Sequence, residues 1–86
     1  MLLTNLNMGV DPTHEFTDRD DIFLIAAYNK LPKNITAENI GARKNRPFLI
    51  QCQEDLNNNN ARMFDVLDVF VRLNQLRKSG KLNDRI

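Results

Sequence analysis

Cys52 and His14 are the only residues of their kinds in the 86-residue chain. A nucleophilic site made from them needs the imidazole to hold the thiol as thiolate. Cys52 sits in the apolar pattern of FLIQCQEDL, however, and reads as a core residue. Two such side chains are too few for a tetrahedral zinc site, and a lone cysteine forms no internal disulfide. Asp20-Asp21 and Glu54-Asp55 are carboxylate pairs, but acids adjacent in sequence on a helix start or a surface are expected to be solvated and to face no common substrate. The three scattered glycines make no phosphate-cradling loop. These residues predict a non-enzyme with no cofactor, no metal and no small-molecule substrate.

Binding chemistry is better represented. The net charge of +1 hides an asymmetry: residues 1–40 sum to −3 and residues 41–86 to +4. Such a division reads first as a solvated surface whose halves attract, and second as a basic patch at one end of a small domain. Arg43, Lys44 and Arg46 cluster in the second half, ahead of Gln51 and Gln53. The surrounding stretch, TAENIGARKNRPFLIQCQEDL, supplies Ala37, Gly41 and the apolar Phe48-Leu49. Over these roughly twenty residues the chain resembles a helix-turn-helix, which places a small residue in its first helix, a glycine near the turn and an apolar second helix after it. The resemblance implies phosphate contacts from Arg43, Lys44 and Arg46 and base contacts from Gln51 and Gln53. The sequence departs from the pattern at Pro47, which falls where a β-branched residue should pack. The second helix also carries Glu54 and Asp55 and no Arg or Lys, and those acids would repel phosphate.

The elements that must position these residues are helical. Residues 1–16 form an N-terminal arm in which Asp11-Pro12 can open a turn and Leu2, Leu3 and Leu6 pack onto this domain or another chain. A first helix over 18–31 is capped by Thr17, carries Asp18, Asp20 and Asp21 in its first turn, and stops at Leu31-Pro32. Thr36 caps a short helix over 36–44. Pro47 starts a third over 47–56, with Phe48, Leu49, Cys52 and Leu56 at helical spacing; FLIQCQ as a strand is the competing reading. NNNN at 57–60 is a hinge whose Asn59 or Asn60 can cap the last helix, 60–78, which ends at Ser79-Gly80.

The last helix decides the functional expectation. Asp65, Asp68, Arg72 and Gln75 project onto one narrow polar stripe, with Asp68 and Arg72 spaced to pair. The remaining sector, roughly 240° wide, is largely apolar, against the ~100° that one core contact needs. Met63, Leu67, Phe70 and Leu73 are the expected contact residues there, and Asn74 projects among them, where it could meet its own copy across a dimer seam or reach water near the helix end.

The sequence thus predicts a small all-α bundle of three to four helices: an arm at 1–16, a helical domain at 17–79 and a tail at 80–86. The longest apolar run, Ile22 to Tyr28, is far short of the ~20 residues of a membrane span, and MLLTNLNMGV lacks the basic start of a leader. A cytoplasmic, reducing location is therefore expected. The expected function is a protein-interaction module (a regulator, inhibitor or assembly factor of the kind viral accessory proteins provide) acting on a protein partner or as a homodimer. The alternative is a helix-turn-helix DNA-binding regulator.

Overall fold

The computed structural model describes residues 15–82; the arm's Asp11-Pro12 turn, His14, and the final residues of the tail lie outside them. Among the described residues the chain is a small all-α bundle of three α-helices: α1 (Asp18–Asn29), α2 (Arg46–Asn60) and α3 (Val66–Lys78). α2 is the middle element, with α1 and α3 both packed chiefly on it.

α1 begins as its composition dictates. The Thr17 side chain accepts from the Asp20 backbone N–H at 3.2 Å, and the Asp20 carboxylate accepts from the Thr17 backbone N–H at 2.9 Å, a reciprocal capping box. The helix ends at Asn29, two residues before the predicted Leu31, because the Lys30 and Leu31 N–H groups already turn back onto Ala27 and Tyr28.

The predicted helix over 36–44 is not formed. Thr36 does cap, trading hydrogen bonds with Asn39, and the Ile40 N–H reaches the Thr36 carbonyl at 2.8 Å. That single helical turn is not extended. Asn39 and Asn45 spend their amides on the Asn34 and Asn39 carbonyls, and a short 3-10 turn, Arg43–Asn45, leads into α2. So short a segment earns too few bonds to offset helix nucleation. Its Ala37, Ile35 and Ile40 are buried, and the Ala37 N–H donates to the Tyr28 hydroxyl at 3.0 Å. Gly41 has a packing reason rather than a turn reason: a Cβ there would lie 2.6 Å from the Phe70 ring of α3.

α2 starts with proline in its first turn, as predicted, and FLIQCQ is helix. Leu49, Cys52 and Leu56 are buried along one face, and Phe48 packs against that core. The helix runs on through NNNN to Asn60, so those asparagines are not the hinge that the sequence suggested. The reversal falls at Ala61, which takes the left-handed conformation (φ 53°). Asn57 explains the shift: its amide accepts from the Phe64 N–H at 3.0 Å and donates to the Phe64 carbonyl at 2.8 Å, replacing the strand or helix partner that the connector lacks. α3 therefore starts at Val66 and not at 60, with Asp65, not Asn59 or Asn60, as its N-cap and Asp68 completing a second capping box.

At the far end of α3 the Gly80 N–H bonds the Arg77 carbonyl, and the Lys81 N–H bonds the Leu76 carbonyl. With Gly80 at φ 82° and Leu82 buried, this is a Schellman ending. Two outcomes follow from the close approach of Gly41 to Phe70. Gly41→Ala should lower stability by about 1–3 kcal/mol in urea denaturation. In a Phe70→Ala background the same change should cost much less, since the atoms that it would meet are gone.

Candidate functional site

The outer face of α3 is the candidate site, and two polar tethers create it. The first is Asp20, whose side chain is 0% exposed. Besides its capping role it accepts from Arg62 Nη1 at 2.9 Å and from the Asn60 amide at the end of α2. Arg62 Nη2 also donates to the Glu15 carbonyl at 3.1 Å, and Arg19 Nε to Asn60 Oδ1 at 2.8 Å. The second is Asp21, gripped by both Nε (2.8 Å) and Nη2 (2.6 Å) of Arg72 from α3. These hydrogen bonds, and to a smaller degree the charge of Asp21, push the Arg72 guanidinium above the ordinary arginine pKa, against the opposing effect of burial. Arg72 is therefore charged throughout the range in which proteins fold.

The sequence expectation for these acids is corrected. Asp20 and Asp21 are not solvated; they are buried and paired with partners far along the chain. Arg72, expected to pair with Asp68 one turn away, forks onto Asp21, while Asp68 serves the α3 cap.

Aromatic rings join the tethers. Phe16 and Phe64 stack with centroids 4.0 Å apart and planes within 6°. The Arg62 guanidinium lies 4.5 Å from the Phe64 centroid and that of Arg72 5.5 Å from the Phe16 centroid.

With its polar stripe drawn toward α1, α3 sinks Val69, Leu73 and Leu76 into the core. Leu67 and Val71 lie roughly 180° around the helix from those three. They are 66% and 44% exposed. Leu67 forms a ridge with a groove on each side, each about 210 Å³. One is walled by Phe16, Asp68, Val71, Arg72 and Gln75, the other by Gly41, Arg46, Leu49, Val66 and Phe70.

The expected contact residues separate accordingly. Leu67 is on the open face, Phe70 is half-buried between the groove and Gly41, and Leu73 is a core residue of the single chain. Met63 is 83% exposed but precedes the helix, so the projection that set it beside Leu67 and Phe70 does not apply. Asn74 donates its amide to the Phe70 carbonyl one turn back at 3.0 Å. Val71, not among the expected contact residues, shares the open face one turn after Leu67, a place its spacing made readable.

Arg43, Lys44, Arg46 and Gln51 are exposed around the 3-10 turn and the start of α2. Gln53 points inward, and its amide donates to the Phe64 carbonyl at 3.0 Å. The first helix of the helix-turn-helix reading is the single turn described above, and Glu54 is exposed on α2. Cys52 is fully buried; among the described residues no cluster of His, Cys, Asp or Glu could hold a metal, and no helix is long and apolar enough to cross a membrane. Comparison with models of known protein families, with characterised proteins and with solved structures finds no match to the chain.

Asp20→Ala should destabilise the fold more than Asp21→Ala. It removes a cap and leaves Arg62 and Asn60 without their acceptor, a loss of about 2–4 kcal/mol. Asp21→Ala exposes Arg72 to a solvent it already touches, a loss of about 1–2 kcal/mol. Urea midpoints of the two variants rank them.

Proposed function

We propose that the chain is a non-enzymatic protein-interaction module that docks through the outer face of α3, with a second copy of itself as the first partner. One observation carries this reading: Leu67 and Val71 are exposed on the side of α3 opposite its core stripe, where a solvent-facing helix normally places charge. A ridge flanked by two grooves is also self-complementary, since Leu67 of each copy could seat beside that of the other. Cys52, the one cysteine of the chain, is buried, which accords with a reducing compartment.

A double change, Leu67→Asp with Val71→Asp, tests the reading. Light scattering across a concentration series should show the wild-type mass rising above that of one chain, and the variant remaining at one chain. Far-ultraviolet circular dichroism of the two should match, because neither side chain is in the core. A wild type of single-chain mass at every concentration overturns self-docking.

The exposed cations at the amino end of α2 favour a second reading, docking on nucleic acid backbone. Replacing Arg43, Lys44 and Arg46 together by Ala should then weaken duplex binding and reduce the slope of log affinity against log salt by about 2–3. An unchanged slope removes that reading.

A further inference from the structure

The two grooves beside the Leu67 ridge differ in charge. The one on the α2 side has an apolar floor: Leu49 is buried, Val66 and Phe70 are half-buried, and Leu67 stands open above them. The Phe70 ring is backed by Gly41, and its carbonyl takes the Asn74 amide. Arg46 is the charged residue among the walls, and its guanidinium meets no carboxylate or other acceptor among the described residues. Arg19, Arg62 and Arg72, by contrast, are each engaged within the fold. Across the ridge the charged walls are already committed, Asp68 to the α3 cap and Arg72 to Asp21. Arg43 and Lys44 are exposed in the turn that leads to Arg46, and the first turn of α2 carries no acid.

An apolar floor beside an unanswered cation selects its occupant. A nucleic acid backbone would answer the charge and leave the floor unused. A second copy docked by its own α3 would fill the floor and leave the charge unanswered, because Asp65 and Asp68 are both spent on the α3 cap. A peptide with a large apolar side chain next to a carboxylate satisfies both. The size agrees: an apolar cavity of ~150 Å³ holds one benzene ring, and this groove is about 210 Å³. It therefore takes one aromatic or leucine-sized side chain and not a row of them.

We propose that this groove binds an acidic peptide segment of a different protein, with a Phe or Leu side chain against Leu49, Val66 and Phe70 and an adjacent Asp or Glu paired with Arg46. The inference rests on the outer face of α3 being a docking face and assigns the chemistry of one half of it. The apolar side chain carries the affinity, and the exposed Arg46 adds a preference for acid over amide.

A displayed library of random peptides, panned on the full chain, tests the assignment. The sequences retained should place Phe or Leu beside Asp or Glu. A synthetic peptide of retained sequence should lose affinity about tenfold when its acid is replaced by the amide. Arg46→Gln should bind the acid and amide peptides alike, whereas Arg46→Lys should keep the preference for acid. Both variants should fold as the wild type does, since the Arg46 side chain holds no partner among the described residues. Retained sequences that lack acids, or a preference for acid that survives in Arg46→Gln, overturn the proposal. A library from which nothing is retained beyond what Leu67→Asp with Val71→Asp retains also overturns it. So does duplex DNA that binds through Arg46 while no peptide does, which assigns the cations to nucleic acid. The two readings fail separately. Acid peptides bound by a chain that stays at single-chain mass remove self-docking alone, and self-association without acid-selective peptide binding removes this inference alone.

Discussion

The fold depends on burying the Asp20 carboxylate. A carboxylate with no exposure is costly unless its oxygens are filled, and here they are filled from three places. Thr17 supplies the cap of its own helix, Asn60 the end of α2, and Arg62 the connector that follows. One side chain therefore fixes where α1 begins, where α2 ends and which way the chain leaves. The left-handed Ala61 fits this account. A non-glycine residue there costs on the order of 1 kcal/mol, and the turn it makes is the one that returns Arg62 to Asp20 and Phe64 to Asn57. The buried acid repays that cost, since without the turn it would lose its guanidinium.

Arg72 repeats the device on α3 with a different consequence. By reaching Asp21 it draws the polar side of α3 toward α1, and by lying over Phe16 it helps to hold that ring ahead of α1. Asp68 is committed to the cap and Gln75 accepts from Arg72. The helix has thus used its polar stripe internally and its Val69, Leu73 and Leu76 stripe in the core. What remains outward is led by the apolar Leu67 and Val71, with Gln75 and Lys78 exposed further along the same face. The apolar exposure is a consequence of where the ion pairs pull the helix, and so it comes with two preformed grooves.

Much of this was legible, and the illegible part has a common cause. Thr17, Pro47 and Ser79-Gly80 act through neighbours within a few residues, so cap, start and stop could be read from the letters. The excess of apolar surface on the last helix was also readable. Asp20 and Asp21 were not, because their partners lie 42 and 51 residues away and nothing local distinguishes a paired acid from a solvated one. The asparagines misled for a related reason. Their turn preference is real, yet Asn57 exercises it by bonding Phe64 seven residues on while itself remaining helical, which moves the start of α3 to Val66 and takes Met63 off the helix. Thr36 and Asn39 form the local start that their types suggest, but the Asn39 and Asn45 amides then bond the Asn34 and Asn39 carbonyls and no second turn follows.

The same tethers limit how much α3 can offer a partner. A specific interface buries on the order of 1,200 Å² or more across both sides, and a helix face ~20 Å long supplies only part of that. Rotating α3 to expose more apolar surface would break the Arg72–Asp21 fork and open the core at Leu73. In the proposed docking, the missing area must come from what surrounds the ridge: the two grooves and the exposed Met63 in the connector. Under the proposed reading, docking is directed at the grooves, with the helix between them held by Asp21 on one side and the core stripe on the other.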